Sequence, residues 1–194
     1  MWAATSFKVA DIAINAILHR AEQDLQALAE RFGTPGERSE IGQRLERQRA
    51  AIARRWSEQA NLYESVDLIV GMPIDAATSG GFLPLFAKIP HDDQAARMAR
   101  EIERWGRRIR FPVPSLSPFD PRFEPKRYWR GPVWAIVNRM ITEGLSGYGH
   151  TALATRIRED TRTLMRQSGF AEYYDPTTGE GLGGASFHGL RPWR

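Results

Sequence analysis

Between Val9 and Phe32 the apolar residues Val9, Ile12, Ala13, Ala16, Ile17, Leu25, Leu28, Ala29 and Phe32 return at spacings of three, four, seven and eight, and Gly33 stops them. That period places them on one side of a long amphipathic helix. Thr34-Pro35-Gly36 interrupts the chain, and Ile41, Leu45, Gln48, Ile52 and Trp56 then mark a second helical stripe beside a densely charged face. A short break between two such stripes predicts an antiparallel helical hairpin, and no segment shows the sustained two-residue alternation of a strand.

The rest of the chain follows the same plan with longer connections. Residues 62–90 are punctuated by Pro73, Gly80-Gly81, Pro84 and Pro90, which predicts mostly loop with one short helix. His91-Asp92-Asp93 supplies cap-like residues for a third helix running to about Arg107, and the proline-rich stretch from Pro112 to Pro125 is expected to be extended. A fourth helix is expected with Pro132 in its first turn and Val133, Trp134, Ile136, Val137, Met140, Ile141 and Leu145 on one broad face; a fifth spans about Thr151 to Gln167. The fold class is therefore all-α, built of helical hairpins.

Composition narrows the chemistry. With no cysteine in 194 residues, a disulfide framework, a thiolate metal site and thiol catalysis are excluded. The four histidines show no ligand spacing, so neither a metal nor a cofactor is expected. No apolar run is long enough to span a membrane and no signal-peptide order opens the chain, which leads to the expectation of a soluble, cytoplasmic protein without a membrane partner. A net charge of +4 raises nucleic acid as a partner, but the bases are interleaved with acids. The densest basic stretch, Arg104, Arg107, Arg108 and Arg110, reads as the solvated end of a helix, so no nucleic-acid partner is expected.

Two loop segments carry the chemistry. One is Tyr128-Trp129-Arg130-Gly131-Pro132-Val133-Trp134; the other runs from Gly169 through Glu172-Tyr173-Tyr174-Asp175-Pro176 to Gly184. Rings beside an arginine and carboxylates suit a sugar, whose CH faces stack while its hydroxyls need fixed polar partners. Core aromatics with an ordinary Asp-Pro turn give the same composition.

The order YWRGPVW, a helix pair, then GFAEYYDPTTGEGLGG resembles glycoside hydrolase family 63, in its mannosylglycerate and glucosylglycerate hydrolase-like branch. The similarity extends upstream through Leu83-Pro84-Leu85-Phe86 and Phe7-Lys8-Val9-Ala10-Asp11 to Leu18, nearly the whole chain. The resemblance implies an (α/α)6 barrel, of which residues 1–194 would form the C-terminal half, with the N-terminal half to be supplied as a missing partner. It implies an inverting α-glycosidase acting on small glucosides or mannosides. Glu172 falls on the family's catalytic base. Tyr128, Trp129, Arg130, Trp134 and Tyr173 are expected to line the carbohydrate site.

The family's general acid precedes the stretch that begins at Phe7, so no residue here inherits it. Asp11, Asp67, Asp75, Asp120, Glu124, Asp175 and Glu180 are other carboxylates, with Asp175 and Glu180 read as shaping a turn. The ending from Phe187 to Arg194 departs from the family pattern in the way a frameshift or truncation would, and His188 is weighed there as a base or metal ligand. On these grounds the chain is expected to be inactive alone. The alternatives are a sugar-binding or vestigial fragment and, behind it, a basic nucleic-acid-binding helical protein. A half barrel should also leave apolar flanks open at its two ends.

Overall fold

A computed structural model describes residues 7–184; the ending at Phe187 to Arg194, with His188, lies outside them. The fold is all-α: five α-helices, α1 (Ile12–Phe32), α2 (Pro35–Ala53), α3 (Asp92–Trp105), α4 (Ala135–Gly147) and α5 (Thr151–Ser168), with short extended segments between them. Asp11 starts α1 by accepting the Ile14 N–H at 2.8 Å, and at the next helix Thr34 and Glu37 form a reciprocal capping box. The first helix therefore begins after Val9 and Ala10, which instead form strand β1 (Val9–Ala10) paired with β4 (Val66–Asp67).

Other boundaries also differ from the expected ones. Trp56 leaves the second helix for β2 (Trp56–Ser57), where it pairs with Tyr63 of β3 (Leu62–Tyr63), because α2 ends at Ala53. The third helix ends at Trp105, with Gly106 as its cap. Pro132 and Val133 are not helical. Val133 exchanges both backbone hydrogen bonds with Tyr174, at 2.8 and 2.9 Å, so α4 begins only at Ala135. Strands β5 (Met72–Pro73), β6 (Tyr173–Tyr174) and β7 (Gly181–Leu182) complete the extended pieces, each two residues long and too short to show alternation.

Gln48, an odd member of an apolar stripe, faces His19 across the first hairpin with Nδ1 to Oε1 at 3.1 Å. His19 is buried, and that burial lowers its pKa, so it sits there as the neutral imidazole.

The core is organised around the short helix of the segment expected to be mostly loop. Ser79–Leu85 is a 3-10 helix whose Phe82, Leu83 and Leu85 are buried. α1 packs on one side of it and α4 on the other. Behind it stands α3, whose Trp105 meets the Phe82 ring edge-on at 5.0 Å. α2 backs α1 and α5 backs α4, so helical pairs stand on either side of the 3-10 helix. Close approach makes this possible. A Cβ on Gly81 would lie 2.5 Å from the Tyr63 carbonyl oxygen, and one on Gly144 of α4 would lie 2.6 Å from the Leu85 carbonyl carbon. Side chains of α1 then bind the exit of the 3-10 helix, Gln23 Nε2 donating to the Ala87 carbonyl at 2.9 Å.

Glycine in a helix interior costs about 1 kcal/mol relative to alanine, whereas a methyl forced into a packed contact costs about 1–3 kcal/mol. Gly144→Ala is thus expected to lower the melting temperature despite its better helix propensity. Gly42→Ala on α2, where a Cβ meets nothing within 4 Å, should raise it. Paired thermal melts check both, and a stabilised Gly144→Ala would refute the close-packed seam between α4 and the 3-10 helix.

Candidate active site

Residues 111–117 form a seam that joins every segment of the site. Phe111 N–H donates to the Pro176 carbonyl at 2.9 Å, Ser115 N–H to the Pro132 carbonyl at 2.9 Å and Ser117 N–H to the Ala77 carbonyl at 2.8 Å. Buried Asn138 of α4 fixes the middle, accepting from Val113 N–H at 3.1 Å while its amide donates to the Pro112 carbonyl at 3.0 Å and to Thr161 Oγ1 at 2.9 Å. Ser115 Oγ takes the Gly131 N–H at 2.9 Å. These positioning residues were not foreseen, because their partners lie far along the chain.

The Val133–Tyr174 pairing aligns the two predicted loops. Extended backbone alternates its side chains, so Val133 and Tyr174 turn inward onto Phe111 and Leu164, while their neighbours Trp134 and Tyr173 share the other side. Trp134 and Tyr173 lie 5.0 Å apart between centroids. Trp129 lies flat on Trp134, at 4.1 Å and 4°, and Tyr128 stands edge-on to Trp134 at 5.2 Å and to Tyr173 at 5.6 Å. The four rings are not equivalent. Trp134 is 8% exposed and serves as the base of the stack; Trp129 at 48% and Tyr128 at 50% present surface outward. Tyr128 holds a backbone φ of +37°, a left-handed conformation uncommon for an aromatic residue and typical of constrained functional loops.

Glu172 precedes β6, and the Tyr173–Leu182 register sets it opposite Gly183. Gly183 has φ +88°, and a Cβ there would lie 2.6 Å from Glu172 Oε2, so only glycine leaves the carboxylate its place. Among the described residues no hydrogen bond or ion pair engages the Glu172 carboxylate. Arg130 is ion-paired to Glu124, which also faces Arg127 at 3.8 Å.

The remaining carboxylates mostly have structural partners. Asp11 caps α1. Asp67 receives the Ile69 N–H at 2.7 Å, and Asp175 receives those of Thr177 at 2.7 Å and Thr178 at 3.2 Å, closing the hairpin turn. Glu180 pairs with Lys126 at 2.5 Å, strapping the hairpin to the loop that carries Tyr128. The Arg122 guanidinium beside Asp120 holds its carboxyl below the usual range, which favours the ionised form and unsuits it as a proton donor. Among the described residues the carboxylate of Asp75 has no hydrogen bond or ion pair, although its charge lies near Arg122, which donates to the Asp75 backbone carbonyl. Among the described residues no group of three or more His, Asp or Glu side chains could hold a metal. No described helix is long and apolar enough to cross a membrane.

The basic stretch is engaged in the same way. Arg104 binds Glu101 and, with Arg108, lies over the Phe119 ring at 4.0 and 4.7 Å.

Comparison with known proteins agrees with this architecture. Residues 1–188 match the family described as the mannosylglycerate hydrolase MGH1-like glycoside hydrolase domain. A mannosylglycerate hydrolase of Thermus thermophilus is 49% identical over 181 residues, covering 93% of this chain and 43% of that protein. The relative named mannosylglycerate hydrolase MGH1 of Selaginella moellendorffii is 44% identical, covering 94% and 38%. The chain thus spans less than half the length of these relatives. A crystal structure of the family 63 mannosylglycerate hydrolase of Thermus thermophilus, in complex with Tris and D-glycerate, superposes with a TM-score of 0.91 at 48% identity, over 94% of this chain and 44% of that one. Neutral trehalase of Saccharomyces cerevisiae, at 18% identity and a TM-score of 0.72, shares the fold alone over 89% of this chain and 35% of its own.

Replacing Asn138 by alanine strips the Val113 N–H and Pro112 carbonyl of their partners in a buried place. Each unsatisfied group costs about 1–3 kcal/mol, so Asn138→Ala should destabilise the protein by about 2–6 kcal/mol. Because the seam positions the stacked indoles, the near-ultraviolet circular dichroism of the folded variant should fall as well. An unchanged melt and spectrum would remove Asn138 from this role.

Proposed function

This chain belongs to the MGH1-like glycoside hydrolase family, and from that premise we propose that it carries the base side of an inverting α-glycosidase site for small glycosides of glycerate. One observation supports this most directly: Glu172, a carboxylate with no hydrogen bond or ion pair among the described residues, adjoins Tyr173, whose ring meets the exposed aromatic platform. A sugar ring placed on Trp129 would bury its CH face there, with hydroxyls within reach of the polar loops. Glu172 would take a proton from the water that attacks the anomeric carbon opposite the leaving oxygen. The acid that protonates that oxygen must stand roughly 6.5–9.5 Å from the base to leave space for the water.

Asp120 is held ionised, and Asp11, Asp67, Asp175, Glu124 and Glu180 are committed to caps, turns and ion pairs, which leaves Asp75 uncommitted among the carboxylates weighed. From the family membership, and not from this elimination, we read residues 1–194 as the C-terminal portion of an (α/α)6 domain whose acid comes from polypeptide outside them. On its own the chain would bind the glycoside without turning it over, because an alkoxide leaving group departs slowly when unprotonated. Mannosylglycerate and glucosylglycerate are the substrates proposed, after the relatives named as hydrolases of each.

Joined to the N-terminal portion of the Thermus thermophilus relative, the chain should hydrolyse these compounds. Glu172→Gln in that fusion should lower kcat by about 10²–10⁴-fold while sugar binding persists. Turnover at the unsubstituted rate would take the base role from Glu172. In the same fusion, Trp129→Ala and Arg130→Ala should weaken binding measured by calorimetry. Unaltered affinity with a lowered melting temperature would make both purely structural, Arg130 as the partner of Glu124.

A further inference from the structure

The two helices of the first hairpin are held together with little apolar burial. Of the nineteen residues of α2 only Ile41 and Ile52 are buried, whereas α3 buries Ala95, Met98, Ala99, Ile102 and Trp105 within fourteen. α2 depends correspondingly on polar ties to α1, Arg44 to Glu22 at 3.1 Å and Gln48 to His19 at 3.1 Å. The second tie is unusual because His19 is only 1% exposed. Gln48 Oε1 takes the hydrogen of Nδ1, which leaves a bare lone pair on Nε2, and that atom is buried with no partner among the described residues. An orphaned acceptor is tolerable there. A proton on Nε2 would put an orphaned donor and a charge in the same buried place.

We propose that His19 is an acid-operated release for this hairpin: a proton on Nε2 breaks the fit between α1 and α2 and loosens α2 while the helices on the far side of the core stay packed. The charges around the ring favour release. Arg49 of α2, half-buried and in no ion pair among the described residues, has the strongest effect of any charge near the ring and repels an imidazolium. Arg49 also lies near the phenols of Tyr63 and Tyr148, which burial keeps protonated, so neither offsets its charge. Glu22 of α1 and Glu46 of α2 act the other way, but Glu22 is already bound to Arg44 and Glu46 is exposed. The 3-10 helix Ser79–Leu85, against which α1 also packs, contains no titratable residue. Burial above all, and then Arg49, hold the ring below its ordinary 6.5 although the Gln48 bond pulls it upward. An opened hairpin takes the proton near 6.5 and the closed one only below it. The closed form is therefore fully favoured above 6.5 and loses ground as the pH falls through the lowered native value, by at most about tenfold per pH unit for one proton. No residue of the candidate active site takes part, and the device stands whether or not Glu172 is a base.

Hydrogen exchange of the 194-residue protein, followed by mass spectrometry from about pH 7.5 down to about pH 5 and corrected for the intrinsic rate at each pH, tests this. Protection in α1 and α2 should fall by up to about tenfold per pH unit below 6.5, well ahead of any loss in α4 and α5. His19→Gln keeps an amide for Gln48 to bond and cannot titrate in this range, so it should abolish the pH dependence. The pair His19→Leu with Gln48→Leu, which replaces both polar partners by apolar ones, should do the same. A check that needs no variant is the His19 ring of the unmodified protein, which by nuclear magnetic resonance should titrate below 6.5. A ring that titrates at or above that value, protection that does not change with pH or falls equally in α4 and α5, or a fall that persists in either folded variant would each overturn the proposal.

Discussion

Everything in this fold leans on the seven-residue 3-10 helix Ser79–Leu85, and on the absence of side chains where other elements meet it. Backbone touches backbone at Gly144, and at Gly81 the chain passes the Tyr63 carbonyl with no space for a methyl. That closeness lets α1, α3 and α4 share one short element as their common neighbour, with Phe82 and Trp105 filling the space behind it. Packing at this density transmits position as well as stability, since a displaced helix has no slack into which to settle.

Position is what the aromatic platform needs. Its rings stand on loops, yet the loops are held by backbone pairing with the seam and by Asn138, a side chain of a core helix. The site therefore inherits its geometry from α4, which is itself set by Gly144. Glu172 gains its place by a complementary device, a glycine across the hairpin that yields the volume of a side chain to a carboxylate. Function-bearing loops carried on a rigid scaffold are common; here one buried amide reaches the seam through two hydrogen bonds and ties it to α5 through a third.

The five helices were legible because each repeats an apolar residue often enough to define a face. One short helix was expected within residues 62–90, but neither its place nor its central role was legible, since Gly80, Gly81 and Pro84 read as breakers and a run of seven is too short for a period to emerge. Pro132 was misplaced for a related reason: proline suits a first helical turn, but Val133 is claimed by Tyr174, forty-one positions away. Gln48 was placed on the second apolar stripe with no account of its polar amide, which the buried His19 supplies. At the site, family resemblance singled out Glu172, while periodicity had nothing to say about it. Nor could sequence distinguish Trp129 from Trp134, because the turn between them decides which ring lies beneath.

That order of stacking has an entropic consequence. A tryptophan on a surface loop ordinarily samples several rotamers, and a ligand that docks on it must immobilise the ring at a cost of about 0.5–1.5 kcal/mol. Trp129 has already given up that freedom to Trp134, on which it lies parallel, with Tyr128 against its edge. A sugar arriving on its outward side would meet a surface at rest, and the contact energy would pass into affinity with little of it spent on ordering the protein.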